Sequence, residues 1–360
     1  MGQAKVRKEP KGELGILAAL PAGVPLALML KRKVDSGDDM AAQTTSGQAR
    51  PLKVGLALPT FDASVMGRTP RWKDFKAAVQ HAEGIGFDSI WVPDHMIHNA
   101  FQPNTEFGVW ECWSILTAVA AITNRVELGT LVLCTGFRNP AMIAKMADTI
   151  EEISGGRLIL GLGAGYYERE YTAYGFPFDH LVGRFEESLT IISSLLRNGR
   201  IDFQGQYYQA RDCELTPRGP RSAGPPIMIG AKPDRPRALR LTAQYADYWN
   251  AFGVNRAEAV APMRQAVDGA CRKAGRDPKT LQRTITTVVE LPDCKRDVPA
   301  TAWTKTISSM GPVTGTPDEI AQSLRAIARE GIDHVQIWLE PFSMPAIDVF
   351  AQVLERLNRD

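Results

Sequence analysis

From Leu52 to the C-terminus, short runs of apolar and β-branched residues alternate with longer stretches whose apolar positions recur every three to four residues. The first pattern suits strands covered on both faces, and the second suits helices that lay one stripe on them. The alternation therefore predicts parallel βαβ units, not hairpins. The predicted strands are Leu52–Leu58, Ser89–Val92, Val126–Leu133, Leu158–Leu162, Pro226–Ile229, Tyr248–Asn250, Arg283–Val289 and His334–Trp338. The predicted helices are Trp72–Ile85, Trp110–Ile122, Ala141–Ile153, Phe185–Asn198, Arg237–Tyr245, Ala257–Ala274, Pro317–Arg329 and Ile347–Leu357.

Several helix ends carry their own signals. Thr316 puts a capping hydroxyl before Pro317, with Asp318 and Glu319 set against the positive end of the helix dipole. Gly84, Gly86, Gly275 and Gly331 stand where helices should stop. Eight strand–helix pairs in one chain fit a closed (β/α)8, or TIM, barrel better than an open doubly wound sheet. Two segments break the rhythm and read as rim insertions. IDFQGQYYQA suggests a hairpin around Gln204–Gly205, and the polar stretch Asp293–Gly315 suggests a lid.

Residues 1–50 differ from the rest, so the chain divides into a 1–50 extension and a 51–360 barrel domain. The extension has a basic start, an apolar stretch from Leu14 to Leu30 and a polar run to Arg50. Pro21 and Pro25 interrupt the apolar stretch, and Lys31 follows it without a small-residue cleavage site. The favoured reading is a weakly ordered extension or a misassigned start, with Met40 as the alternative beginning. A targeting or membrane-anchoring role is the rival.

Composition narrows the function. The 42 basic and 40 acidic residues nearly balance, without a basic stripe to neutralise phosphates, so nucleic acid is not the expected partner. Five dispersed cysteines and no C-x-x-C pair argue against a disulfide framework or zinc knuckle and point to a reducing cytoplasm. His95 and His98 have helical spacing but only Asp94 beside them as a third ligand, so no metal site is expected. A metal-dependent barrel hydrolase is disfavoured on the same ground.

In such a barrel the loops that follow the strands build the active site. After the second strand, Asp94 and His95 pair a carboxylate with the side chain that titrates nearest neutrality, which suits proton transfer. Equally, Asp94 could cap a turn while His95 packs against the barrel. After the fourth strand, GLGAG (Gly161, Gly163, Gly165) is followed by Tyr166 and Glu168. The tyrosine-rich sequence beyond it is unlike a Rossmann helix. Those glycines suit close approach of a ring or phosphate, and a tight turn would account for one of them. After the fifth strand, Gly230, Ala231 and Lys232 precede Arg235, Arg237 and Arg240, which suits either a bound anion or a solvated basic face.

At these residues the sequence resembles the bacterial luciferase-like monooxygenase superfamily. The landmarks are VGLALP, GFDSIWVPDH, the block from LGTLVLCTGFRNP to GGRLILGLGAG, YTAYGFPFDHLVGRFEESLTII, PPIMIGAK and YADYWN. The resemblance implies an oxidoreductase with a flavin-type cofactor, coenzyme F420 or FMN, over the barrel mouth. F420 is slightly favoured. It carries over Asp94 and His95 as ring- or substrate-contacting residues and Thr135 as a ring contact. It also carries over Gly163, Gly165, Tyr166 and Glu168, with Gly230, Ala231 and Lys232 as the phosphate loop, although Lys232 departs from the small or hydroxyl residue common there. It further implies a non-prolyl cis peptide near the third strand, a homodimer, a small organic substrate and, with FMN, a separate flavin reductase. A non-catalytic flavin-binding barrel is the remaining alternative.

Overall fold

The structure is a computed structural model and describes residues 50, 52–99, 106–294 and 302–359. The expectations for the extension, the Met40 start and part of the Asp293–Gly315 lid lie outside the described residues. Eight parallel strands form the barrel: β1 (Lys53–Ala57), β2 (Ser89–Val92), β3 (Glu127–Thr130), β4 (Leu158–Gly163), β5 (Ile227–Gly230), β6 (Tyr248–Phe252), β7 (Gln282–Glu290) and β8 (His334–Glu340). They pair in sequence order from β1 to β8, β8 pairs back to β1, and the β4–β5 ladder completes the ring. The predicted closed barrel is therefore the observed fold.

The helices around it are α1 (Trp72–Ile85), α2 (Cys112–Ile122), α3 (Pro140–Ser154), α4 (Glu168–Tyr174), α5 (Leu181–Asn198), α6 (Pro236–Tyr245), α7 (Val260–Lys273), α8 (Ala302–Ser309), α9 (Pro317–Arg329) and α10 (Met344–Leu357). Helix α9 shows why the pattern was readable. Thr316 and Glu319 exchange capping hydrogen bonds, and Ile320, Leu324 and Ile327, four and three residues apart, are fully buried. The predicted hairpin also forms, with Arg200–Gln204 against Gln209–Glu214. Its turn is held by the Glu187 carboxylate, which accepts the N–H groups of Gln206, Tyr207 and Tyr208.

Two departures matter for the site. The third strand stops at Thr130 instead of Leu133; the Leu131–Val132 peptide that follows is cis, and Leu133–Cys134 pairs with β4. Helices α4 and α8 occupy segments read as loop, and α8 lies within the stretch read as a lid.

The barrel interior is shaped by glycines on strands. Trp91 of β2 is fully buried, and a Cβ on Gly55 or Gly129 would lie 2.4 or 2.1 Å from its ring. Its Nε1–H donates to Ser89 Oγ at 2.7 Å, and that hydroxyl lies 2.7 Å from His334 Nε2. Deeper, Asn250 Nδ2 donates to Thr284 Oγ1 and Gln336 Oε1 at 2.9 and 2.8 Å. No described helix is long and apolar enough to cross a membrane.

Candidate active site

The loop after β2 carries Asp94 and His95 in different settings. The Asp94 side chain is wholly buried. Its Oδ2 accepts Arg138 Nη1 at 2.7 Å and the Cys134 backbone N–H at 2.9 Å, while its Oδ1 accepts Arg138 Nη2 at 3.0 Å. Arg138 also donates to Glu111 Oε1 at 2.6 Å, and Glu111 caps α2 through the N–H groups of Trp113 and Ser114. A carboxylate committed to a bidentate guanidinium and a backbone amide is a structural tie, not a free proton carrier. These are the contacts of the Asp94 that was expected as a catalytic, cofactor-touching residue.

His95 is held from one side only. Its Nδ1 lies 2.9 Å from Glu170 Oε1, and Glu170 Oε2 accepts the Met96 N–H at 2.6 Å. Its Nε2 makes no hydrogen bond to another described residue. Around it, the ring centroids of His98, Tyr166 and Phe61 lie at 4.4, 5.8 and 6.4 Å. His98, buried and beside His95, is pushed down to about 3 and so is neutral near pH 7. Its Nε2 lies 3.1 Å from the Tyr166 hydroxyl. The result is an aromatic wall with one imidazole nitrogen open on it.

The loops after β3 and β4 are pinned together. Thr135 is buried, and its Oγ1 donates to the Gly163 carbonyl at 3.2 Å. The Tyr171 hydroxyl donates to the Ala164 carbonyl at 2.7 Å and lies 3.0 Å from Cys134 Sγ. A Cβ on Gly165, whose φ is +75°, would lie 2.2 Å from that hydroxyl, and one on Gly163 would lie 2.8 Å from Val132 Cγ2. One on Gly161 would meet the Thr130 carbonyl at 2.0 Å. The protein's own atoms lie in the space that a Cβ would take at these glycines, of which Gly163 and Gly165 were expected to let a ring or phosphate approach the backbone. Glu168 is the exposed first residue of α4. The carboxylate that reaches the site is Glu170, two residues on.

Beyond β5, Gly230 and Lys232 are exposed and a Cβ on Gly230 would touch nothing within 4 Å. Arg235 gives the first turn of α6 no side-chain cap. The Ala231 N–H, however, donates to the Asn250 carbonyl at 3.1 Å, so it is not available to an anion. Arg237 and Arg240 both grip Glu186 of α5, and Arg235 lies 3.5 Å from Asp234. Of this predicted anion loop, Gly230, Lys232 and the helix end remain open. Among the described residues no group of three or more His, Cys, Asp or Glu side chains could hold a metal ion.

The profile of the luciferase-like monooxygenase family matches residues 52–310. The chain belongs to this family. This luciferase-like barrel is 34% identical over 234 residues to the pyrimidine monooxygenase RutA of Stutzerimonas stutzeri (strain A1501), covering 61% of this chain and 58% of that one. It is 33% identical over 247 residues, 63% of each chain, to the phthiodiolone/phenolphthiodiolone dimycocerosates ketoreductase of Mycobacterium tuberculosis (strain ATCC 25618 / H37Rv). The chain thus spans roughly three-fifths of the length of these curated relatives. Its backbone matches an F420-dependent secondary alcohol dehydrogenase, solved with an F420-acetone adduct, at a TM-score of 0.69 and 18% identity. That match covers 86% of this chain and 99% of that one, and shares the fold alone.

Sequence reasoning missed Arg138 and Glu170. Arg138 stood in the quoted FRNP segment, but its partner Asp94 is 44 residues away. Glu170 lies next to Tyr171, and both are buried, a pairing visible only once α4 is known.

Proposed function

We propose that this luciferase-like barrel binds coenzyme F420 and transfers a hydride between it and a small organic substrate, with His95 carrying the accompanying proton. The observation that supports this best is the His95 imidazole at the end of β2, tethered through Nδ1 and with Nε2 unbonded to any described residue. The open Gly230–Lys232 edge and the uncapped start of α6 fit a phosphate tail. The wall of Phe61, His98 and half-exposed Tyr166 fits a flat ring, and Thr135 would stand beside that ring. Bound there, the deazaflavin supplies a two-electron hydride donor or acceptor without oxygen activation.

The residues of the chain then have separable tasks. With an alcohol substrate, His95 Nε2 would take the hydroxyl proton; with a carbonyl substrate, it would give that proton back. Phe61 and Trp338, both nearly fully buried, keep water from beneath the reacting groups. Asp94 and Arg138 hold the loop from which His95 projects.

The near-equal identities to a monooxygenase and a ketoreductase make FMN-dependent oxygenation the second reading, with a separate reductase supplying reduced flavin. Titrating the apoprotein separately with F420 and with FMN, followed by cofactor fluorescence, decides between them. Tight F420 binding is expected; tight FMN binding with no F420 binding overturns the proposal. A barrel that binds either cofactor yet shows no hydride transfer or oxygen reaction across a substrate panel is non-catalytic. With an accepted substrate, His95→Ala should cost turnover about 10²- to 10⁴-fold. Undiminished turnover would remove the proton role.

A further inference from the structure

Glu170 is the group in the mouth whose placement goes furthest beyond packing. It is 2% exposed on α4, yet its carboxylate bonds only upward, into the loop after β2. Oε2 accepts the Met96 N–H at 2.6 Å, with the Ile97 N–H at 3.4 Å, and Oε1 faces His95 Nδ1 at 2.9 Å. The Glu170 side chain already acts as an acceptor toward two backbone N–H groups, and with Oε1 as acceptor too, Nδ1 is the donor in this contact. That choice leaves Nε2 as a lone-pair acceptor. The other groups around the imidazole cannot impose it. His98 is neutral and bonded to Tyr166, while the Asp94 carboxylate is committed to Arg138 and Cys134.

We propose that Glu170 is the positioning residue of the His95 proton carrier, fixing the tautomer in which Nδ1 bears the hydrogen and Nε2 receives the substrate proton. The carboxylate also balances the imidazolium that forms when Nε2 is protonated. No proton moves to Glu170; it leaves His95 by Nε2, the way it came. This rests on His95 carrying the proton, as proposed above.

The geometry supplies its own test. In Glu170→Gln the amide must keep its oxygen on the Met96 N–H, because a backbone N–H cannot accept. Its NH₂ group is then turned toward His95 Nδ1, and the only relief is for the imidazole to move its hydrogen to Nε2. The loop contact survives while the tautomer is reversed. Side-chain ¹⁵N–¹H correlation spectra of ¹⁵N-histidine-labelled full-length apoprotein, with His95→Ala giving the assignment, should show Nδ1–H for the wild type and Nε2–H for Glu170→Gln at the same pH. An Nε2–H tautomer in the wild type, or an unchanged Nδ1–H tautomer in a folded Glu170→Gln, overturns the proposal.

On a substrate the holoenzyme accepts, Glu170→Gln should lower kcat roughly 10²-fold or more with KM nearly constant, because the base then presents a hydrogen to the substrate. If His95→Ala abolishes turnover and Glu170→Gln leaves it intact, the positioning role fails and the proton carrier stands. If both variants turn over normally, the proton carrier itself fails. The tautomer reading in wild-type apoprotein needs neither cofactor nor substrate, so it keeps the two failures apart.

Discussion

On the side of the mouth formed after β2, β3 and β4, the polar side chains are committed to one another. Asp94 is tied to Arg138 and Cys134, Glu170 to His95 and Met96, Thr135 to Gly163, and Tyr171 to Ala164. On the side after β5, the strand runs out into exposed Gly230 and Lys232, and the nearby arginines of α6 turn away to Glu186. Reacting atoms lose rate steeply with small displacements, so interlocked hydrogen bonds belong where chemistry is proposed. A charged tail tolerates a looser hold, because a point charge on a flexible stem follows its partner. The same barrel thus offers a rigid half and a yielding half.

The rigid half should be costly to unlock. Arg138→Met leaves the buried Asp94 carboxylate without its cation, and about 3–5 kcal/mol of unfolding free energy should be lost in urea melts. Adding Asp94→Asn should restore most of that loss, since the uncompensated charge is then gone. A loss below 1 kcal/mol in the single variant would mean that Asp94 is not sealed by this pair. Next comes the packing beneath the mouth. Gly129→Ala places a methyl 2.1 Å from the Trp91 ring and should cost about 1–3 kcal/mol, partly recovered by Trp91→Phe. Strictly additive effects in that pair would break the assignment of Gly129 as the space for Trp91.

How much of this was legible in the sequence follows from the range of each signal. The strands were readable because apolar runs between turn residues are local, and α9 because its cap and its stripe lie within a dozen residues of each other. The proposed carrier position, His95 after β2, comes from the barrel rule that strand ends face the site. The burial of Glu170, two residues beyond the exposed Glu168, was not legible for lack of a period. Helix α4 has seven residues, too few to reveal which face is inward. The packing partners of the GLGAG glycines were not legible, because a glycine cleared for a ligand and one cleared for Tyr171 or Thr130 look alike along the chain. Their neighbours arrive from other strands and helices.

The barrel interior gives a pH-dependent prediction of intermediate size. Burial, with Lys53 and Arg50 adding to it, pushes His334 down to about 3. In the unfolded chain the same imidazole takes a proton near pH 6.5. Between those values the unfolded state binds the proton and the fold does not, so stability falls as pH drops below about 6.5 and continues to fall toward 3. One such group should cost on the order of 2 kcal/mol between pH 7 and pH 5. Urea melts at the two pH values measure the decline, and His334→Gln should flatten it. An unflattened decline would assign the acid sensitivity to other groups, with buried His98 shifted in the same direction.

The yielding half should respond least. Lys232 is exposed and forms no ion pair with a described residue, so Lys232→Ala should change unfolding free energy by no more than about 0.5 kcal/mol. On the proposed reading the same substitution should weaken F420 binding roughly fivefold, and added salt should reproduce much of that loss in the wild type by screening an exposed charge. Arg138 and Lys232 are both cations at the mouth of one barrel, so this pair of variants is the sharpest form of the comparison. Removing the first should unfold the protein more easily, and removing the second should loosen only its ligand. A Lys232→Ala variant destabilised by more than 1 kcal/mol would mean that the β5 edge is tied into the fold after all, and the division of the mouth would not hold.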